Sequence, residues 1–223
     1  MSISATDLQQ VNGVWLPASD THFKEAIEKT GSYLPERLEA AITYCDRKKV
    51  AVDIGAHVGL YTRLLMEAFD EVYAFEPADD SYACLERNVA AVSGSVHLHH
   101  VAVGREAGVG ELHADPLPKR QGNSGARFVR QGYAGPVSLV TLDQFNLSAC
   151  DFLKIDVEGM ELDVLKGAYG TIVRCQPVVM IEVGKVPEER YNTPTLAPID
   201  YLQRLGMQVV LEMKADKVLI WSS

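Results

Sequence analysis

The order of apolar segments is the feature that most constrains this fold. From Val50 onward, short runs rich in β-branched and aromatic residues alternate with segments that repeat apolar residues at helical spacing. This alternation is typical of a parallel sheet whose connecting helices cover both faces. We therefore expect an α/β, doubly wound fold. The predicted strands, each a short β-rich run, span residues 50–54, 71–76, 96–101, 151–157 and 177–183.

Two segments depart from this alternation. Residues 103–147 contain Gly, Pro and Ser throughout and two β-like pieces, GELHA and VSLVTL, so we predict an elaboration over one edge of the sheet. At the C-terminus, a short helix over PIDYLQRLG precedes MQVVLEM and KVLIW, whose close spacing suits a β-hairpin. The sheet is therefore expected to end in an antiparallel strand.

The residues before Val50 form a separate part of the prediction. A chain of 223 residues is short enough for one core. We predict an N-terminal extension, residues 1–48, that covers a main domain of residues 49–223. It contains an extended piece, GVWLP, and a helix that includes Leu38 and Ala41. His22 follows GVWLP. It is a candidate to fold over the pocket as part of this extension.

The composition disfavours several function classes. A net charge of −9 argues against a large phosphate-facing surface, so we predict no nucleic-acid partner. No apolar run approaches the roughly 20 residues that cross a bilayer, and the N-terminus does not resemble a secretory signal. We predict no membrane partner and a cytoplasmic location. The four cysteines stand alone beside apolar stretches and are predicted to be reduced core residues.

The loop after the first strand is the first candidate ligand site. The segment Asp53-Ile54-Gly55-Ala56-His57-Val58-Gly59 leaves an apolar strand and enters a helix, where open α/β sheets hold their ligands. A tight structural turn needs the same glycines, so the loop alone does not distinguish a ligand site from a structural turn. Glu76 ends the second strand, where a carboxylate can accept both hydroxyls of a ribose.

The spacing within this loop bears on which cofactor binds. The dinucleotide fingerprint is G-x-G-x-x-G, whereas the pattern here is D-x-G-x-x-x-G, without the middle glycine. An anionic side chain suits a ligand with an ammonium and a sulfonium better than one with a pyrophosphate. The pattern therefore favours S-adenosylmethionine, and a nicotinamide-dependent reductase stays as the less favoured alternative.

Three segments together resemble a known family. VDIGAHVGLYT, YAFEP and FLKIDVEGMELDVLKGA closely resemble the FkbM family of class I S-adenosylmethionine-dependent methyltransferases, from about Val50 to Val183. The resemblance implies a Rossmann-like, mostly parallel seven-stranded sheet with an antiparallel last strand. It also implies O-methylation, commonly of sugars or polyketide natural products, and no nucleic-acid role.

The resemblance also implies where the cofactor binds. By analogy, Asp53, Gly55 and Gly59 line its methionine half, Glu76 meets the ribose, and Ala102 lies on the adenine side. In the wider superfamily a glycine usually stands at the position of His57, so the role of this side chain stays open. The predicted cofactor-binding residues all lie at or near strand ends: Asp53, Gly55, Ala56, His57, Gly59, Glu76, Ala102 and Asp156.

Asp156 and Glu158, at the end of the fourth strand, are the candidate catalytic residues. Methyl transfer is an in-line displacement, so the protein must align the acceptor oxygen, and a carboxylate can take the proton of a hydroxyl. In an extended chain this spacing puts both side chains on one face. Two alternatives stay open: Glu158 caps the next helix, or Asp156, Glu158 and Glu182 bind a divalent cation, which ranks below a metal-free base.

The favoured function is therefore an O-methyltransferase that acts on a hydroxyl of a sugar, a glycan or a small natural product. An N-methyltransferase is the first alternative, although the N-P-P-Y type of signature is absent. A non-catalytic cofactor-binding module is the second. The turn Asn123-Ser124-Gly125 either faces the acceptor or is exposed. The sequence predicts neither the acceptor's identity nor the oligomeric state.

Overall fold

The secondary structure follows the predicted order along the chain. The computed structural model describes residues 7–132, 135–184 and 188–222. Within these ranges the strands are β1 (Leu8–Val11), β2 (Val14–Pro17), β3 (Val50–Ile54), β4 (Glu71–Phe75), β5 (Ser95–His99), β6 (Ala102–Val103), β7 (Gly108–Ala114), β8 (Arg127–Gln131), β9 (Val137–Val140), β10 (Phe152–Ile155), β11 (Val178–Glu182), β12 (Met207–Met213) and β13 (Asp216–Trp221). The α-helices are α1 (His22–Thr30), α2 (Pro35–Ile42), α3 (Leu60–Ala68), α4 (Asp79–Val89), α5 (Glu161–Gly167), α6 (Tyr169–Cys175), α7 (Glu188–Tyr191) and α8 (Ala197–Arg204).

The central sheet has seven strands in the order β5-β4-β3-β10-β11-β13-β12. The five strands from β5 to β11 pair in parallel, whereas β13 pairs antiparallel with both β11 and β12. The predicted fold class is therefore confirmed. The antiparallel strand lies between β11 and β12 and not at the edge, because the C-terminal hairpin folds its second strand into the sheet.

Helices cover both faces of this sheet, because side chains alternate along each buried strand. Val52 and Ile54 of β3 belong to the cluster that contains buried residues of α5, α6 and α8. Ala51 belongs to the cluster that contains buried residues of α2, α3 and α4. All four cysteines are free, and three of them are buried. Among the described residues, no helix is long and apolar enough to cross a membrane.

The elaboration predicted for residues 103–147 is a second sheet of four strands, in the order β6-β9-β7-β8. Strand β6 begins three residues after β5 ends, so this sheet starts at the edge of the central one. Ala102, Val129 and Leu139 pack against Met160, which follows β10. This packing holds the second sheet beside the carboxyl end of β10.

The described part of the N-terminal extension packs against the loop that follows β3. Strands β1 and β2 form a hairpin. The Asn88 side chain of α4 accepts the Trp15 N–H at 2.8 Å, and it donates to the carbonyls of Trp15 at 2.9 Å and Val58 at 2.7 Å. Leu16 and Ile27 are fully buried in the cluster that contains Val58. The hairpin and α1 therefore support the loop from outside the central sheet.

Candidate cofactor and active site

A cavity of about 320 Å³ lies at the carboxyl ends of β3, β4 and β10. This volume is within the usual range for small-molecule sites. Three parts of the chain build its wall: the loops of the central sheet, the region around Phe23 and Tyr33, and the second sheet with its loops, including Ser124 and Arg127. The predicted site residues that line it are Gly55, Ala56, His57, Glu76, Ala102, Asp156, Glu158 and Glu182.

The glycines of the loop after β3 have left-handed backbone angles and closely packed surroundings. Gly55 has a φ of +80°, and a Cβ there would lie 1.8 Å from the Asp156 carbonyl oxygen. Gly59 has a φ of +84°, and its Cβ would lie 2.5 Å from Cδ1 of Leu85. Because Gly59 faces Leu85, it does not line the cavity. A tight structural turn alone therefore accounts for glycine at both positions, without a bound ligand.

We expect Gly55→Ala to destabilise the fold itself. Gly13, with a φ of +84° and open space around it, offers a matched control. Gly13→Ala should cost roughly 1–2 kcal/mol, the backbone penalty alone. Gly55→Ala should cost about 1–3 kcal/mol more, because the end of β10 must move. Urea unfolding of both variants measures the difference, and equal losses of stability would contradict the close approach.

Asp53 lies behind the cavity wall, in a buried ion pair. It is fully buried, and its Oδ1 lies 3.1 Å from Nζ of Lys154. Thr62 Oγ1 donates to the other Asp53 oxygen at 2.7 Å. Lys154 Nζ also donates to the Gly55 carbonyl at 2.7 Å and lies 3.6 Å from Asp156 Oδ2. Although burial opposes it, the Asp53 and Asp156 carboxylates raise the pKa of Lys154.

Lys154 also lines the cavity, although no role was predicted for it from the sequence. The sequence does place this lysine inside the otherwise apolar run FLKI. Because a buried lysine requires a partner, this position could have indicated a functional or paired residue. Lys154 connects the buried Asp53 to the loop backbone and to Asp156. Asp53 is therefore paired with Lys154, which lines the cavity, whereas Asp53 itself does not.

Glu76 lies in the cavity wall at the end of β4 and is 7% exposed. The backbone N–H groups of His57 and Ala78 each donate to one of its carboxylate oxygens, both at 2.8 Å. Burial raises the pKa of Glu76 to about 7, although these two hydrogen bonds oppose the shift. Each oxygen keeps a further lone pair, so the carboxylate can accept hydroxyl donors from the cavity. Ala102 is buried in the same wall.

Asp156 and Glu182 form a carboxyl pair in the cavity. The Asp156 charge and burial both raise the pKa of Glu182. Two close carboxylates cannot both ionise readily. The proton of the pair therefore belongs to Glu182, the member whose pKa is raised. The Asp156 side chain is 38% exposed, so it remains open to a bound molecule.

Glu158 lines the cavity from a turn after β10 and not from the strand itself. Strand β10 ends at Ile155, and Glu158 has a φ of +55°. The expectation that Asp156 and Glu158 share a strand face was wrong, because a turn separates them. Glu158 does not cap α5 either: Arg120 Nη1 donates to its carboxylate at 2.5 Å. The Glu161 side chain accepts the Gly159 N–H at 2.9 Å instead.

The cation alternative requires three oxygen ligands in one cluster. Asp156 pairs with Glu182, and Glu158 is engaged by Arg120. In the part of the chain that the structure describes, no group of three or more His, Cys, Asp and Glu side chains is arranged to hold a metal ion.

Side chains from outside the central sheet complete the wall. Arg37 lies 2.6 Å from Asp216, and Arg127 binds both carboxylate oxygens of Asp80. His22 is exposed at the start of α1 and does not line the cavity, whereas the adjacent Phe23 does. The turn Asn123-Ser124-Gly125 lines the cavity as well, so the exposed-turn alternative was wrong.

The chain is similar in sequence to known methyltransferases. Residues 53–209 match the model of the methyltransferase FkbM domain. Methyltransferase 1 of Beauveria bassiana is 29% identical over 142 residues, which cover 52% of this chain and 57% of that protein. Methyltransferase sdnD of Sordaria araneosa is 28% identical over 152 residues, which cover 52% of this chain and 59% of that protein. The chain thus matches less than two thirds of the length of either relative.

Solved structures share the fold. The crystal structure of methyltransferase FkbM from Methylobacillus flagellatus superposes with a TM-score of 0.52 at 18% identity, covering 96% of this chain and 48% of that one. An rRNA methylase from Streptococcus thermophilus superposes with a TM-score of 0.51 at 10% identity, covering 84% of this chain and 95% of that one.

Proposed function

The chain belongs to the FkbM methyltransferase family, and on that premise we propose that it transfers a methyl group from S-adenosylmethionine to a hydroxyl of a small molecule or glycan. When bound, the cofactor supplies an electrophilic methyl group on its sulfonium. The observation that carries the proposal is the cavity itself. It presents Glu76, a buried carboxylate with free lone pairs, and Asp156, an accessible carboxylate, in one wall.

In this proposal the loops after β3 and β4 hold the cofactor. Glu76 accepts the ribose hydroxyls, and Ala102 borders the adenine. The Gly55, Ala56 and His57 segment lines the methionine half. Asp53 and Gly59 act from behind the wall, because they fix the shape of the loop that the cofactor contacts.

The acceptor lies beside the Asp156–Glu182 pair. Asp156 would accept a hydrogen bond from the acceptor hydroxyl, which orients its oxygen, and would take the hydroxyl proton as the methyl carbon passes from sulfur to that oxygen. Glu182 keeps its own proton, because the Asp156 charge and burial raise its pKa. Glu158 fixes Arg120 in the wall.

The acceptor class, the cellular location and the role of the N-terminal extension are also proposed. Sugars and natural products are proposed as acceptors because of the family, and a cytoplasmic location stays a prediction. We also propose that residues 1–48 cover the methyltransferase domain of residues 49–223. Their described part supports this, because Phe23, Tyr33 and Arg37 contribute to the cavity wall.

Transfer of an isotopically labelled methyl group tests the proposal. We would incubate the protein with labelled S-adenosylmethionine and matched neutral glycosides and primary amines. The proposal predicts label in an ether that resists mild alkali and hydroxylamine. Label on the amines alone would support the N-methyltransferase instead. Binding of S-adenosylhomocysteine without transfer to any acceptor would favour a non-catalytic module.

The affinity for S-adenosylhomocysteine should rise with pH. The pKa of Glu76 is about 7 in the folded protein and 4.5 ordinarily, so its proton stabilises the fold at low pH and this contribution is lost as pH rises through about 7. In this proposal the ribose hydroxyls bind the ionised carboxylate. The affinity for S-adenosylhomocysteine should therefore increase by about tenfold or more as the pH rises through the pKa of Glu76. Calorimetric titrations at a series of pH values measure it.

Two variants separate Glu76 from other groups. Glu76→Gln should have a lower affinity that no longer depends on pH. Glu161 is a matched control, because burial raises its pKa to about 7 as well, but it does not line the cavity. Glu161→Gln should keep the pH dependence. Loss of the dependence in Glu161→Gln, or its persistence in Glu76→Gln, would remove Glu76 from the cofactor site.

A further inference from the structure

Three distant segments meet at one buried hydrogen-bonded chain beside the cavity. Asp20, from the N-terminal extension, is fully buried and accepts the Phe23 N–H at 2.7 Å and the Ser124 N–H at 2.9 Å. The Ser124 hydroxyl, from the loop before β8, also donates to Asp20. Ser124 Oγ in turn lies 2.6 Å from Nε2 of His57, in the loop after β3.

The donors and acceptors of this chain assign the tautomer of His57. A serine hydroxyl has one hydrogen, and a carboxylate only accepts, so that hydrogen belongs to the bond with Asp20. Ser124 Oγ must then accept from His57, which places a proton on Nε2. Burial lowers the pKa of His57, so the ring is neutral. The other nitrogen, Nδ1, is therefore an acceptor.

The remaining nitrogen is available to a ligand. Nδ1 has no hydrogen-bond partner among the described residues, and the ring lines the cavity, where it packs against the Phe23 ring at 4.6 Å between centroids. The His57 backbone N–H binds Glu76, the proposed ribose ligand. The free acceptor is thus in a residue that also orients Glu76.

We propose that Asp20 and Ser124 are positioning residues that hold His57 as its Nε2–H tautomer, so that Nδ1 accepts a hydrogen bond from a ribose hydroxyl or the ammonium of the bound cofactor. The inference rests on the proposed use of S-adenosylmethionine. Through it, the N-terminal extension and the second sheet become parts of the cofactor site. Asp20, His57 and Ser124 are distant in sequence, but together they make Nδ1 of His57 a hydrogen-bond acceptor.

The tautomer is measured directly by ring ¹⁵N NMR of the ligand-free protein, and affinity for S-adenosylhomocysteine by calorimetry. Asp20 does not line the cavity, so Asp20→Asn cannot remove a ligand contact of its own. Ser124→Ala is the second variant should Asp20→Asn fail to fold. Ser81→Ala is the matched control, because Ser81 is fully buried and its hydroxyl has no partner among the described residues.

The wild type should show the Nε2–H tautomer alone, and so should Ser81→Ala with unchanged affinity. Asp20→Asn and Ser124→Ala should lose the single tautomer and bind about two- to tenfold more weakly, the scale of one hydrogen bond. The same titration with 5′-methylthioadenosine, which lacks the ammonium, identifies the donor. If the variants also bind 5′-methylthioadenosine more weakly than the wild type does, the donor is a ribose hydroxyl. If this loss of affinity disappears, the donor is the ammonium.

Three results would overturn the inference. A lower melting temperature with an unchanged tautomer and unchanged affinity would show a structural role only. A changed tautomer with unchanged affinity would show that Nδ1 does not contact the cofactor. A wild type with the Nδ1–H tautomer would contradict the assignment. Failure of the wild type to bind S-adenosylhomocysteine would instead contradict the proposed function, whereas the NMR result on ligand-free protein would still stand.

Discussion

Asp156→Asn is expected to lower turnover by about 10²- to 10⁴-fold, with little change in the affinity for S-adenosylhomocysteine. The asparagine keeps the size of the side chain but cannot take the acceptor proton. Glu182→Gln is the matched control. Because Glu182 carries the proton of the pair, an uncharged isostere should preserve most of the rate.

Single-turnover rates on a confirmed acceptor, with calorimetry of the cofactor product, measure both effects. Full activity of Asp156→Asn would contradict the proton transfer and leave positioning as the source of the rate. A chelator supplies a second check. It should not change the wild-type rate, and loss of activity that added divalent metal restores would favour a cation at Asp156, Glu158 and Glu182.

Lys154→Met is expected to destabilise the fold by about 3–5 kcal/mol, because it leaves the Asp53 carboxylate buried without its cation. Methionine keeps much of the side-chain length, so the loss of charge dominates. Lys154 is 7% exposed, and Asp53 is fully buried. Urea unfolding monitored by circular dichroism measures the change.

A double variant provides the control for this prediction. Asp53→Asn together with Lys154→Met removes both charges, so most of the lost stability should return. Equal destabilisation in the single and double variants would show that packing, and not the ion pair, gives Lys154 its importance. A loss below about 1 kcal/mol in the single variant would indicate an ion pair no stronger than a surface one.

The central sheet could be predicted because its signal is local. In β3 and β10 every residue is buried, which produces mostly apolar runs such as VAVDI. The second sheet could be predicted only in part. Strand β8 has two adjacent buried residues, Phe128 and Val129, flanked by charged and polar ones, so its sequence shows no alternation. Its pairing with β7 stabilises it, and that pairing is not visible in the sequence.

The site residues that directly follow a strand could be predicted from the sequence. Glu76 and Asp156 follow apolar strands directly, and both line the cavity. The relation between Asp156 and Glu158 could not be predicted, because the left-handed backbone at Glu158 breaks the two-residue period. The contact of Asp20 with Ser124 also could not be predicted, since the two residues are joined only by the folded chain.

The central claim is that this cavity binds S-adenosylmethionine, and titration calorimetry tests it most directly. S-adenosylhomocysteine and NADH would be titrated separately into the wild type and into Glu76→Gln. We predict that S-adenosylhomocysteine binds the wild type, that NADH does not, and that Glu76→Gln weakens the binding. Binding of NADH in place of S-adenosylhomocysteine, or equal affinity of the two proteins for S-adenosylhomocysteine, would contradict the account.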